Sequence, residues 1–257
     1  MKRFAKLMLI GAMTLPAMAQ AQEWGRLLDR GQEVLEQRRG SAATEAPATA
    51  APPPAGVSDR QLSLGLKEAL AVGTERAVAT LAQPNGFLGD SRVKIEPPGM
   101  LGSAVGTLRR VGFQSQVDAF ELSMNRAAEQ AIGQATPVVL NAIESMTLED
   151  VQRIYQGGDT AATEYFKGQT FTELQQLLRP HIERSMQQTG TTAAWQALTD
   201  AATASLPMLA GYTPDLADHV TESALDGLFL LLAEEERKIR RDPLARSTEL
   251  LQQVFGL

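Results

Sequence analysis

The chain of 257 residues contains no cysteine and only two histidines. The absence of cysteine excludes disulfide bonds, thiol catalysis, cysteine metal sites and the lipid-modified cysteine of a bacterial lipoprotein. The formal net charge is −6 at pH 7, whereas binding to nucleic acid requires a concentrated basic surface. We therefore expect neither thiol chemistry nor a nucleic-acid partner.

The common catalytic sequence motifs are also missing. The chain has no G-x-S-x-G string, no G-K-[ST] phosphate loop, no G-x-G-x-x-G and no H-E-x-x-H. The S-x-x-K string Ser91–Lys94 lacks the S-D-N and K-T-G partners that a penicillin-binding enzyme needs, so we interpret it as a coincidence. No cofactor is predicted.

Long apolar runs are confined to the N-terminus. Residues 1–21 place Lys2, Arg3 and Lys6 before an apolar run and then a series of small residues, which is the order of a secretory signal peptide. A retained N-terminal anchor is the alternative. No later run reaches the ~18 apolar residues that a spanning helix needs. We expect an exported protein, periplasmic in a Gram-negative cell, with no transmembrane segment in the mature chain.

The composition divides the rest of the chain into three parts. Residues 22–40 have the spacing of a short amphipathic helix, with Trp24, Leu27, Leu28 and Leu35 on one stripe. Residues 41–57 are rich in Ala, Pro and Thr, which is typical of a disordered linker. Residues 58–257 have the composition of a single folded domain.

Helical periodicity and helix-start signals dominate that domain, which predicts an all-α fold with at most one short extended segment, 91–99. Strings resembling capping boxes begin at Ser58, Thr147 and Thr170, and Thr213 precedes a proline suited to the first helical position. The predicted helices are 58–83, 100–111, 114–135, 137–145, 147–156, 160–167, 170–189, 191–204, 214–240 and 243–255.

The stretch FELSMNRAAEQA, residues 120–131, contains the polar residues of greatest interest. On a helix, Glu121 and Asn125 border an apolar face, and Asp118 and Glu129 lie further round. We call these four residues the polar seam. A half-buried carboxylate needs a partner, and because neighbouring Arg126 points elsewhere on the helix, we expect an arginine from another helix: Arg109, Arg110, Arg153 or Arg240. The seam is either a binding or acid–base site or a structural polar network.

The string DLADHVTE sets Asp215, His219 and Glu222 on one helix face, where they could hold zinc or iron with help from another helix. Because acidic residues also favour a first helical turn for electrostatic reasons, we predict no metal site.

The run AEEERKIRRDPLARS offers a candidate anion site at Arg240, Arg241 and Arg246. Its acids precede its bases at i+4 spacing, as in Glu236 and Arg240. This pattern is typical of a solvated helix end, which is the interpretation we favour.

Several phrases resemble an exported bacterial family catalogued as domain of unknown function 4197. They are LGLKEALAVGTERAV, FELSMNRAAEQA, AATEYF and VTESALDGLFLLLAEEERKIRRDPLARSTELLQQVFG, in the family's order. The resemblance covers about residues 62–256 and implies a mainly helical domain behind a signal peptide. It supplies no activity, cofactor or catalytic residue.

Three functions are consistent with these observations. The first, which we favour, is a non-enzymatic module that binds an apolar small molecule or an envelope protein, since helical domains form sites between helices. The second is an enzyme that uses Glu121, Asn125 and Glu129 as acid–base and positioning groups. The third assigns the action to the amphipathic helix 22–40, as a tether to a partner or membrane surface.

Overall fold

The computed structural model describes residues 58–205, 207 and 211–241. The predicted signal peptide 1–21, the helix 22–40, the linker 41–57 and the last predicted helix, 243–255, lie outside the described residues.

The described residues form α-helices and contain no strand. The helices are α1 (Asp59–Leu81), α2 (Gly99–Leu108), α3 (Gln114–Ala131), α4 (Thr136–Glu144), α5 (Leu148–Gln156), α6 (Ala161–Thr189), α7 (Thr191–Ser205) and α8 (Leu216–Arg241). A π-helical turn, Arg109–Phe113, joins α2 to α3, and a 3₁₀ turn, Ile132–Ala135, joins α3 to α4. The predicted all-α single domain is confirmed.

Local capping explains several helix boundaries. The predicted capping boxes at Ser58 and Thr147 are both present, each with its reciprocal partner three residues later. Gly190 ends α6 in the left-handed region, with φ 75°. The helix predicted from residue 214 begins at Leu216, because Asp215 accepts a hydrogen bond (3.0 Å) from the backbone N–H of Asp218.

The predicted break between residues 167 and 170 is wrong, because α6 continues through it. The Thr170 hydroxyl does not cap a new helix and donates instead to the carbonyl of Phe166 (2.7 Å). Phe166, Thr170, Leu174 and Leu178 are buried at four-residue spacing. Continuing the helix therefore keeps one apolar stripe in the core, and this outweighs the local start signal.

Helix α6 forms the centre of the domain, packing against both α3 and α8, while α1 packs against α8. The apolar face of the predicted helix 114–135 is buried throughout α3 and the 3₁₀ turn that follows it: Val117, Phe120, Met124, Ala128, Ala131 and Ala135. None of the described helices has the length and apolar character needed to cross a membrane.

Polar side chains follow the exposed edge of the α6–α8 contact. Lys167 pairs with Asp226 (2.9 Å) and Gln175 donates to Glu222 (3.2 Å). Residue numbers rise along α6 as they fall along α8, so the two helices run antiparallel. Exposed pairs of this kind fix register and contribute little stability each.

Candidate functional site

The polar seam of α3 faces the segment that joins α1 to α2, residues 82–98, which we call the 82–98 loop. Phe87, Val93 and Ile95 of this loop are buried in the core. The loop has no regular secondary structure over residues 94–98, where the sequence predicted an extended segment. Its buried backbone groups therefore need hydrogen-bond partners from elsewhere.

Asn125 supplies such partners for Ile95. Its side-chain oxygen accepts from the backbone N–H of Ile95 (2.9 Å), and its side-chain nitrogen donates to the carbonyl of Ile95 (2.8 Å). The same nitrogen donates to the carbonyl of Glu121, one turn earlier on α3 (2.8 Å). Asn125 is 0% exposed. The amide thus pairs with the extended backbone as a neighbouring β-strand would.

Glu129 holds the first half of the loop. Its Oε1 accepts from the backbone N–H groups of Phe87 (3.3 Å) and Leu88 (3.4 Å). Its Oε2 pairs with Arg126, which also donates to the Asn85 side chain (2.9 Å). The sequence predicted that Arg126 points away from Glu121; its long side chain pairs instead with Glu129, which it reaches at i+3.

Glu121 is buried between two cations. Its Oε2 lies 2.5 Å from Lys94 Nζ, and its Oε1 lies 3.2 Å from Arg109 Nη2. Arg109 also pairs with the exposed carboxylate of Asp118 (2.5 Å). Of the four arginines considered from the sequence, Arg109 is the one paired with Glu121. Lys94, which sequence reasoning did not select, is the second partner and comes from the loop.

Helix α8 holds the loop from the other side. His219 Nε2 lies 2.7 Å from the carbonyl oxygen of Glu96, and since a carbonyl only accepts, the imidazole donates. Arg92 pairs with Glu234. A Cβ added to Gly227 would meet Phe87 Cε1 at 2.9 Å, so the loop packs directly on the α8 backbone.

The candidate metal residues each contact a different group. His219 donates to the loop, Asp215 pairs with Arg179 (3.0 Å), and Glu222 accepts from Gln175. Within the part of the chain that the structure describes, no three such side chains come together with the geometry to hold a metal ion.

Two residues of the candidate anion site already have carboxylate partners, and Arg246 lies outside the described residues. Arg240 pairs with Glu236 (2.9 Å), as the i+4 spacing predicted, and Arg241 pairs with Asp159. Arg240 also donates to the carbonyl of Ile154 at the end of α5 (2.8 Å).

The interpretation of this run as a solvated helix end is wrong for Glu236, which is 5% exposed. Its carboxylate accepts from the backbone N–H groups of Ala162 (3.0 Å) and Thr163 (2.9 Å) and from the Thr163 hydroxyl (2.9 Å). The backbone N–H groups in the first turn of α6 have no acceptor within their own helix, and the Glu236 carboxylate supplies one. Helix α8 thus caps α6 with a side chain, a contact that the local charge pattern does not reveal.

Two carboxyl groups near the surface have a pKa below the ordinary value. Hydrogen bonds from the Arg92 side chain and backbone lower the pKa of Asp90 to about 2. Hydrogen bonds from Thr147 lower the pKa of Asp150, and burial together with Asp150 raises the pKa of Tyr165. Neither carboxyl group belongs to the polar seam.

Two cavities border the helices described above. A small, partly open cavity of about 20 Å³ lies between α1, α6 and α8, with Gly73, Thr163 and Glu236 in its lining, and has room for about one water molecule. An open groove of about 860 Å³ follows the junction of α6 and α7, where Met186, Ala193 and Asp200 line it.

Residues 56–256 match the model of the family described as "Protein of unknown function (DUF4197)". The chain belongs to this family. No curated protein and no solved structure matches the chain. Membership therefore confirms the resemblance found in the sequence and adds no activity or site residue to this DUF4197 protein.

Proposed function

We propose that this DUF4197 protein is an exported, non-enzymatic module that binds an apolar ligand or a partner of the cell envelope. The observation that carries the proposal is that the buried side chains of the polar seam, Glu121, Asn125 and Glu129, are all engaged with the chain itself. A catalytic group has to reach a substrate, and these side chains reach the 82–98 loop.

The details of the contacts favour a structural role for the seam. Both oxygens of Glu121 face cations, both oxygens of Glu129 accept from donors of the chain, and every polar side-chain atom of Asn125 has a partner. A substrate at this position would have to displace Phe87 and Ile95 from the core. The alternative, acid–base catalysis by these three residues, gains no support from this geometry.

The surface offers two features suited to binding. The outer side of α2 and the π-helical turn exposes Met100 and Val111, and the α6–α7 groove combines Met186 and two alanines with polar side chains. Exposed apolar surface is the usual mark of an interaction site.

Native mass spectrometry of the protein purified from the cell envelope tests the proposal. We expect an apolar molecule or a protein to co-purify. Folded Glu121→Gln protein should retain this ligand, whereas Val111→Asp or Ala193→Asp should lower the amount bound. An empty protein in every preparation would contradict binding. A turnover assay that loses activity in folded Glu121→Gln would favour the enzyme hypothesis.

Export is part of the same proposal and has its own test. The supporting observation is the charge and apolar pattern of residues 1–21. We expect the protein in the periplasmic fraction with a new N-terminus near residue 20 or 22, determined by intact mass. An uncleaved cytosolic product would contradict it.

A further inference from the structure

We infer that the outer side of α2 and the π-helical turn is a docking surface for an anionic lipid membrane. The inference rests on the proposed binding function and names the partner class. We call this surface the α2 surface and define it by its exposed residues, Met100, Ser103, Gly106, Arg110 and Val111.

These residues lie along one side of the helix. Met100 and Val111 are eleven residues apart, which is about three helical turns, and Ser103 and Gly106 are exposed between them. Met100 is 46% exposed and Val111 is 53% exposed. Within α2 itself, only Leu101 and Leu108 are buried. Helix α2 contains no charged residue, yet much of its surface is exposed to solvent.

The π-helical turn presents the end of this surface. Gly112 has φ 103°, a conformation that side chains with a Cβ rarely adopt, and no atom lies within 4 Å of a Cβ placed there. Because this conformation is not helical, Gly112 marks a kink between α2 and α3. This turn leaves Arg110 and Val111 side by side at the surface.

The charge of the surface has one sign. Residues 97–117 contain two arginines and no aspartate or glutamate, in a chain whose formal charge is −6. Arg109 is neutralised by Asp118 and Glu121. Arg110 bonds to its own helix, to the Gly106 carbonyl (3.1 Å) and the Thr107 hydroxyl (3.3 Å), and no carboxylate of the described residues pairs with it. An approaching anion therefore meets an unneutralised guanidinium beside apolar side chains.

A lipid surface fits these features better than a protein partner. Specific protein interfaces depend on aromatic or arginine anchors seated in pockets, and the exposed residues of the α2 surface include no aromatic side chain. Binding at a membrane interface scales with the buried apolar area plus the electrostatic attraction to anionic lipid, and the α2 surface combines two exposed apolar side chains with one cation. The small exposed residues Ser103 and Gly106 let the helix lie close to the headgroups.

Vesicle co-sedimentation of the protein, as purified from cells, tests the inference. We expect binding to vesicles of equal parts phosphatidylcholine and phosphatidylglycerol, weak binding to phosphatidylcholine alone, and loss of binding as salt is raised. The double variant Arg110→Glu/Val111→Asp should bind the anionic vesicles at least about tenfold more weakly, since each cationic side chain near such a surface contributes roughly a fivefold factor.

The matched control is Arg60→Glu/Leu64→Asp. It makes the same charge changes at an exposed arginine and a leucine that is 51% exposed, on α1. Circular dichroism checks that both variants fold. Equal loss in the two variants, or no binding of the wild type to anionic vesicles, overturns the inference. If Arg110→Glu/Val111→Asp instead releases a co-purifying protein or dissociates a dimer, the partner is not lipid, while the proposed binding function stands.

Discussion

At the scale of single residues, the Asn125 side chain makes the backbone hydrogen bonds that a neighbouring β-strand would otherwise make. It is buried, and it satisfies both the N–H and the carbonyl of Ile95, thirty residues earlier in the chain. Without it, these two backbone groups would lie unpaired in the core. An unpaired buried polar group costs about 1–3 kcal/mol. The amide therefore stabilises the fold mainly because it gives these two backbone groups hydrogen-bond partners.

Asn125→Ala is therefore expected to lower the free energy of unfolding by about 2–4 kcal/mol, from two unpaired backbone groups. Urea denaturation followed by circular dichroism measures it. The control is Asn141→Ala on the exposed side of α4, which should change stability by less than about 0.5 kcal/mol. Equal effects of the two substitutions would argue against the contact.

Asp90 gives a prediction about pH. Its folded-state pKa of about 2 lies below the ordinary value of 3.8, so its contribution is present above the unfolded pKa and is lost as the pH falls through the folded pKa. We expect Asp90→Asn to be less stable than wild type at about pH 5 and the difference to disappear near about pH 2. A difference independent of pH would show that Arg92 does not hold the carboxylate.

At the scale of helices, α8 organises its neighbours through residues whose role depends on packing. Gly227 admits the 82–98 loop, and Glu236 caps α6. The sequence predicted most helix positions, because apolar periodicity and capping residues are local signals. It did not predict the continuity of α6 or the burial of Glu236, because both depend on which faces meet in the folded domain.

Gly227→Ala is expected to destabilise the protein by about 1–3 kcal/mol, since the new methyl group would press on Phe87 and Val93. Gly168→Ala on α6 is the matched control, because a Cβ there meets open space. That substitution should stabilise the protein by about 0.5–1 kcal/mol through helix propensity. Thermal unfolding of both variants measures the contrast, and destabilisation by both would contradict the packing described.

Glu236→Ala removes the carboxylate that pairs with Arg240 and that accepts hydrogen bonds from the first turn of α6. Breaking a buried ion pair typically costs about 3–5 kcal/mol. The control is Glu222→Ala on the exposed side of α8, with an expected change below about 0.5 kcal/mol. Denaturant titration compares them; similar midpoints for the two variants would mean that the α6 cap contributes nothing.

At the scale of the whole molecule, the helices enclose a loop that the polar seam fixes in place. The apolar face of α3 was predictable from its period, but the partners of Glu121, Asn125 and Glu129 were not, since Lys94, Ile95 and Phe87 are brought there only by the complete fold. Arg126 is the exception: its i+3 spacing to Glu129 is visible in the sequence. These contacts favour a structural role for the seam, and the exposed α2 surface carries the binding proposal.

Amide hydrogen exchange of the 82–98 loop tests this account most directly. If the polar seam holds the loop, the amides of Phe87, Leu88 and Ile95 exchange slowly although residues 94–98 have no regular secondary structure, and Asn125→Ala accelerates exchange at Ile95 first. Exchange of these three amides at the rate of an unstructured peptide in the wild-type protein would contradict the account and leave the seam free for chemistry.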